Sequence, residues 1–536
     1  MFFNIPVKDR CRVIYFIFFS LLATMAVLKY YNLNSTILDL GVFLNNFYMI
    51  SEGNWDRLFL SHTQPLSFIW SFLYQIFPKN IFSAFILTGQ TFLLTLPAVI
   101  LYRTYGFIPA IAFALYFPLW YNALFDFHLD HLAIPFLLGF FIMEKRGAIG
   151  IAVIFGLLLA LVKEIFAIQA VFCGLYLFFL RKHRLGGLIL TLASSAYFFI
   201  SYVYLRTYFN PDVIGNGGAT LGAYSWLGNT PKDIFLAIQT KPLWLLGEFF
   251  SDKERLKYLF YLFGALGFIP LLRPGILLVT IPILAHSLLS SDPKHYGFTH
   301  HYTAGILIPS IIAFAEGIPK AIKLWEYIKI KKERFQPTLI FGLLACHIVL
   351  SPSPASLKFY NSKAWRHHYA IYLPSDRNKM IKDALKTHIP PDPEKIISIQ
   401  NSINFSYLME RKVFKVFPHG AVVNSPTYEQ KFTWNGFFKF VQTGKPYILN
   451  WKNSFANYVV LDLKRPWFIV DQGCYWVSGK CKNNTHFENR FLSLVERTRE
   501  KFGVVFERDG FLILKRKNKS AFHITSKTQK SKRLDQ

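Results

Sequence analysis

From the N-terminus to about residue 350 the chain alternates long apolar runs with short polar interruptions. Val13 to Leu28, Ile81 to Tyr102, Phe107 to Leu124 and Gly186 to Leu205 contain no charged residue at all. An α-helix rises about 1.5 Å per residue, so a run of roughly 20 apolar residues covers the ~30 Å hydrocarbon core of a bilayer. In lipid the backbone must satisfy its own hydrogen bonds, which restricts such runs to helices or closed barrels. Barrel strands alternate with period two, and these runs do not. The pattern therefore predicts an α-helical polytopic membrane protein. Further runs follow the same rule: Leu132 to Met143, Gly147 to Val162, Ile165 to Leu180, Leu256 to Leu272, Gly275 to Leu289, Ala304 to Ile318 and Thr338 to Leu350. Together they predict about 11 transmembrane helices across residues 1–352.

Lys and Arg between the runs set the orientation, because basic residues are retained on the cytoplasmic side. Lys8, Arg10 and Arg12 precede the first run and place the N-terminus inside. The first helix then acts as an uncleaved signal anchor and emerges near Tyr30. Arg103, Lys145 with Arg146, the cluster Arg181 to Arg184, Arg273, and the stretch Lys320 to Arg334 all fall on inner turns. Between Asn32 and Asn80 lies a long outer loop with two apolar pieces too short to span, Leu40 to Ile50 and Pro65 to Phe77; both are expected at the outer interface. A second outer loop follows Tyr204.

Beyond Ser353 the periodicity changes. Short alternating runs at Ile396 to Ile399, Tyr458 to Leu463 and Phe502 to Phe506 read as strands. Asp509-Gly510 between Phe506 and Phe511 is a hairpin signal. Residues 353–517 thus form a small α/β domain, delivered outside the cytoplasm by the last helix. The Lys/Ser/Thr-rich segment 518–536 is expected to be a basic disordered tail.

Composition agrees: 53% of the residues are hydrophobic and only 17% charged. The net charge of +28 would suggest a nucleic-acid partner in a soluble protein. Here inner flanks and tail account for it, and the expected partner is membrane lipid, with no nucleic acid. Of five cysteines, Cys11, Cys173 and Cys346 sit in or beside apolar helices. Cys474 and Cys481 lie in the outer domain, with the turn signal Ser478-Gly479 between them, and are expected to form a disulfide. Two free thiols, or a metal-binding pair that lacks its partners, are the alternatives. The chain carries no Walker loop, no Rossmann glycine motif and no Gly-x-Ser-x-Gly elbow.

Sorting by side gives the candidate chemistry. Inner turns are merely basic. Outer turns hold Asp39; Asp126, His128, Asp130 and His131; Lys163 and Glu164; and Asp292, His295, His300 and His301. Ionisable groups at membrane depth are costly and mark function. Asp39 is either a general base or the N-cap of the helix beginning at Leu40. Residues 126 to 131 offer four candidate metal ligands, suited to a divalent cation, Mg or Mn with one or two of these ligands or Zn with three, or to polar packing at a helix end. Lys163 and Glu164 either bind and orient a phosphate or close a tight turn. His300, His301 and Tyr302 begin a helix, where anions bind, and an interfacial aromatic role is the plainer alternative.

In their order, Leu38-Asp39-Leu40-Gly41-Val42-Phe43, Phe125-Asp126-Phe127-His128, Val162-Lys163-Glu164 and His301-Tyr302 resemble a bacterial multi-pass family catalogued as domain of unknown function 2079. Val459-Val460-Leu461-Asp462 and Asp509-Gly510-Phe511-Leu512-Ile513-Leu514 resemble its C-terminal pattern. The family usually has Pro after the second-loop His, where this chain has Leu129. In layout the family is similar to the C-type (GT-C) glycosyltransferases, polytopic enzymes with an acidic residue in the first outer loop and a polyprenyl-phosphate-sugar donor. The resemblance implies a bacterial inner-membrane protein. Asp39 would be the catalytic base, Asp126 and His128 a second-loop catalytic pair, and Lys163, Glu164, His300, His301 and Tyr302 the donor-binding set. The acceptor is left open. The rival readings are a transporter or flippase of a lipid-linked or anionic solute, and a non-catalytic envelope scaffold.

Overall fold

The computed structural model describes residues 7–59, 62–209, 222–228, 230–363, 367–423, 425–428, 434–443, 451–465 and 484–517. Cys474, Cys481 and the basic tail lie outside these residues.

The chain is mostly helical up to residue 350. Among the described residues, four helices are long and apolar enough to cross a bilayer: Arg12–Tyr31, Lys79–Tyr105, Arg184–Tyr202 and His301–Tyr327. A fifth candidate is the pair Phe107–Leu115 and Phe117–Leu124, bent by 52°. Pro118 explains the bend, since it has no N–H to give to the Ala114 carbonyl one turn earlier. The Trp120 indole N–H takes that carbonyl instead, at 2.8 Å. The other apolar runs fold as shorter helices, among them Ala133–Lys145, Ile149–Ala160, Glu164–Leu175 and Ile281–Leu288. Breaks fall where the sequence forces them. Gly147 takes φ 74, which favours glycine, and the charged pair Lys163–Glu164 interrupts the next run.

Two helices occupy the stretch read as a loop after Tyr204: Pro231–Thr240 and Pro242–Ser251. The first is announced by Thr230-Pro231-Lys232-Asp233. Thr230 and Asp233 form a reciprocal capping box around a proline in the first turn.

The bundle packs closely where small residues meet. A Cβ on Gly174 would lie 2.3 Å from the Thr191 hydroxyl oxygen, so the helices containing these residues are in backbone contact. A cavity of about 560 Å³ opens between the turn Ile269–Leu272, the end of helix Ala304–Tyr327 and helix Phe335–Leu350, and its walls are almost wholly apolar. It lies ~30 Å along the helix from His301, counting about 20 residues at 1.5 Å each.

The C-terminal region builds one five-stranded sheet from β1 (Ile397–Ile399), β2 (Phe414–Val416), β5 (Tyr458–Asp462), β6 (Phe502–Arg508) and β7 (Phe511–Arg516), in the order β2-β1-β5-β7-β6. β3 (Ser425–Tyr428) and β4 (Trp451–Ser454) pair separately. β1 runs parallel to β2 and β5, and β7 runs antiparallel to β5 and β6. Asp509 and Gly510 both take positive φ, 50 and 74, as a two-residue type I′ hairpin turn requires.

Alternation along the strands divides the sheet into two faces. Val459, Leu461, Leu512 and Leu514 pack with Phe491 and Val495 of helix Asn484–Lys501. Ile397, Ile399, Val460, Phe511 and Ile513 pack instead with Ile37, Leu40, Phe43 and Phe47 of the first loop. The sheet and the first loop therefore share a core. Polar bonds fix their register: Ile37 donates its N–H to the Asn401 carbonyl at 3.0 Å, Leu38 donates to the Asn401 side chain at 2.9 Å, and Asn45 donates to the carbonyls of Met409 and Arg411, each at 2.7 Å.

Candidate functional site

The first loop leaves helix Val7–Tyr31 and enters a π turn, Ile37–Gly41, before helix Val42–Ser51. Single π turns inside helical segments recur at functional sites. Asp39 sits within this turn and is half-buried. It does not cap the following helix. Its carboxylate instead accepts from the Thr36 hydroxyl at 2.6 Å. Burial first, and then the neighbouring Asp126, raise its carboxyl above the usual range.

Thr36 ties this turn to the second polar loop. Its N–H donates to Asp126 Oδ2 at 2.6 Å, and its hydroxyl lies 3.1 Å from the same oxygen. One hydroxyl proton is thus shared between two carboxylates. Asp126 is held from the other side by Lys29, whose Nζ is 3.0 Å from Oδ1 and also donates to the Leu124 carbonyl at 2.9 Å. Lys29 lies in the last turn of helix Val7–Tyr31 and is not among the candidate residues of the sequence. Its position opposite Asp126 is visible only in three dimensions.

Asp130 is the centre of the cluster. His128 Nδ1 lies 3.0 Å from its Oδ1, Lys163 Nζ 3.5 Å from its Oδ2, and His301 Nε2 3.4 Å from the same Oδ2. Burial alone would raise this carboxyl, but Lys163, His128 and His301 together hold it well below its ordinary value. Beside it, burial pushes the His131 imidazole down to about 3. The rings of His128 and His301 stack with centroids 3.5 Å apart and planes 16° from parallel. Phe43, from the helix after Asp39, meets the His128 ring edge-on at 5.0 Å.

Segments far apart in sequence are therefore brought to one end of the bundle: the Asp39 turn, residues 126 to 131, Lys163 and His301. The neighbours of Lys163 and His301 are placed differently. Glu164 opens helix Glu164–Leu175, and its buried carboxylate accepts the Thr63 N–H at 2.8 Å and lies 3.3 Å from His62 Nδ1. It anchors the first loop, while Lys163 points into the cluster. The Tyr302 ring packs edge-on against His295 at 4.4 Å. His300 Nδ1 is 3.0 Å from the Thr299 hydroxyl, and its ring is 5.5 Å from that of Phe125.

Chemically, the cluster sets a partly exposed, weakly acidic carboxyl (Asp39) beside a buried anionic one (Asp130) ringed by a lysine and two imidazoles. The first suits proton removal; the second group of residues can meet an anion or a cation.

No curated protein and no solved structure matches the chain. Residues 29–394 match the model of a family described as "Predicted membrane protein (DUF2079)". The matched range includes Lys29 and every residue of the cluster; all the strands, β1 to β7, lie beyond it. By that match, which covers most of the chain and all of its clustered polar loops, the protein belongs to the DUF2079 membrane-protein family.

Proposed function

We propose that this protein transfers a sugar from a polyprenyl-phosphate donor to an envelope acceptor at the outer surface of the bacterial inner membrane, in the manner of the C-type glycosyltransferases. The observation that carries the reading is the meeting of Asp39 with the Lys163, His128 and His301 group in one cluster beneath the C-terminal sheet. Glycosyl transfer from a lipid phosphate needs both a base for the acceptor and cationic groups for the departing anion.

In this scheme Asp39 takes the proton of the acceptor hydroxyl. The acceptor oxygen forms a bond to the anomeric carbon as the bond from that carbon to the phosphate oxygen breaks. The lipid phosphate leaves with its electron pair, and Lys163 with His301 stabilises its charge, His300 flanking them. Such stabilisation counts most where water is excluded. Asp126 and Lys29 hold Thr36, and through it the Asp39 turn, in position. The reading keeps about eleven membrane crossings, some made by the short and broken helices. It places residues 353–517 outside the cytoplasm, where a Cys474–Cys481 bond would persist.

The test uses purified full-length protein in lipid nanodiscs with radiolabelled polyprenyl-phosphate sugars and an envelope extract as acceptor. Labelled product that depends on Asp39 supports the reading. Flux of the intact lipid-linked sugar between leaflets of proteoliposomes, with no glycosidic product, would replace transfer by transport.

A further inference from the structure

The geometry points to a binding site for a single divalent transition-metal ion of the zinc class, held by His128, Asp130 and His301. One ligand atom from each of these three residues lies within 4.8 Å of the other two. Their side chains are only 12%, 5% and 5% exposed, so the group is not a chance surface gathering.

A second observation points the same way. His301 is 4% exposed, and neither of its ring nitrogens makes a hydrogen bond among the described residues, although Nε2 faces Asp130 at 3.4 Å. The adjacent His131 is also buried, and neither of its nitrogens has a hydrogen-bond partner among the described residues. Buried polar groups ordinarily find partners, and an imidazole aimed at a carboxylate across a gap too poorly aligned for a hydrogen bond has room for an ion.

The donor set selects the ion. Two imidazoles and one carboxylate, with a position left open, is the arrangement of catalytic zinc sites. Mg²⁺ prefers an all-oxygen shell, so of the ions considered for residues 126 to 131 the three-ligand zinc alternative fits this donor set better than Mg. The ligand set differs too. Asp126 is committed to Lys29 and Thr36, and His301 arrives from a distant helix. For their in-plane lone pairs to converge, the two stacked rings must turn from the parallel arrangement.

Lys163 gives the inference its sharpest consequence. Its ammonium occupies the Asp130 carboxylate at 3.5 Å, so metal and Lys163 compete for one oxygen. Metal binding would free Lys163 for an anionic ligand. Removing the lysine should therefore tighten metal binding, whereas a residue with a merely structural part would weaken it.

The test does not depend on any transfer reaction. Full-length protein, with its affinity tag cleaved off and stripped by chelator, is titrated with Zn²⁺ by calorimetry and with Co²⁺ by visible absorption. The expected result is one equivalent per chain, unaffected by millimolar Mg²⁺. His301→Ala and Asp130→Asn should each weaken Zn²⁺ binding by at least a hundredfold, roughly the effect of losing one of three ligands. Lys163→Met should tighten it by about tenfold through loss of a nearby like charge. Should His301→Ala fail to fold, the Co²⁺ spectrum of the wild type and the sign of the Lys163→Met effect still decide. Wild-type protein that takes up neither ion overturns the site, as does a folded His301→Ala variant of undiminished affinity.

Discussion

Lys29 and Asp126 form the contact on which the first loop's geometry depends, and a double-mutant cycle can measure it. Asp126 is 3% exposed and Lys29 13%. Removing one partner of a buried ion pair leaves an uncompensated charge, which costs about 3–5 kcal/mol. Asp126→Asn keeps an acceptor for the Thr36 N–H, and Lys29 retains the Leu124 carbonyl, so the lower end, ~3 kcal/mol, is the expected loss. Lys29→Met strands the Asp126 carboxylate with only the two Thr36 donors and should cost about the same. The double variant carries neither charge, and it should fall within ~1 kcal/mol of wild type, where simple addition of the two losses would give ~6 kcal/mol, so the coupling is about 5 kcal/mol. For 536 residues, an unfolding entropy of about 2.1 cal/mol/K per residue gives ~1.1 kcal/mol/K. Each single substitution should then lower Tm by ~3 °C, and by more if only part of the chain unfolds cooperatively. The assay is thermal unfolding of purified variants in one detergent, followed by intrinsic tryptophan fluorescence. If the two losses simply add in the double variant, Lys29 is a solvated interfacial lysine and does not position Asp126.

Asp39→Asn should abolish sugar transfer, by a hundredfold or more, while melting within ~1 °C of wild type; near-normal turnover would remove Asp39 from the chemistry. Leu38 is 45% exposed beside Asp39, and Leu38→Cys in intact cells should react with an impermeant maleimide; labelling only after lysis would invert the topology. Arg377, in the first turn of helix Asp376–His388, grips the buried Asp462 at the end of β5 with two guanidinium nitrogens at 3.0 and 2.7 Å. Arg377→Lys keeps the charge but loses the fork, and a cost of about 1.5–3 kcal/mol should appear as earlier proteolysis of the C-terminal region; unchanged protease sensitivity would count against it. Gly510→Val forces a β-branched residue to φ 74 and should cost at least 1–2 kcal/mol, seen as faster amide exchange in β6 and β7.

Much of this protein is legible along the chain because local rules act on neighbouring residues. Runs of uncharged residues impose helices wherever lipid is the solvent. Asp509-Gly510 between alternating apolar stretches yields the hairpin at the expected place, since few other dipeptides adopt two positive φ angles in succession. The positions of strands β1 and β5 also follow from local alternation. The helix Pro231–Thr240 was legible too, through its capping box, though an apolar-run criterion passes over it. Helix breaks were less so: the Phe107–Leu124 run reads as one span, and the bend depends on how Pro118 and Trp120 share a single carbonyl.

Which polar residues belong together was beyond any local rule. Asp39, Asp126, Lys163 and His301 each announced themselves by sitting in apolar surroundings, where an ionisable side chain is costly. Composition could not say that Asp130, rather than Asp126, would gather Lys163 and the two imidazoles, nor that Lys29 would answer Asp126 across 97 residues. Nor could it say that Glu164 would turn from its neighbour toward Thr63. Those choices were made by helix packing and by the sheet, whose inner face buries Ile37, Leu40 and Phe43 and so sets where the Asp39 turn can lie. Ion pairing falls off within a few ångströms once solvent is excluded, so its partners are decided by the tertiary fold that brings distant segments into contact, while the bilayer's demand for apolar helices is met residue by residue along the chain.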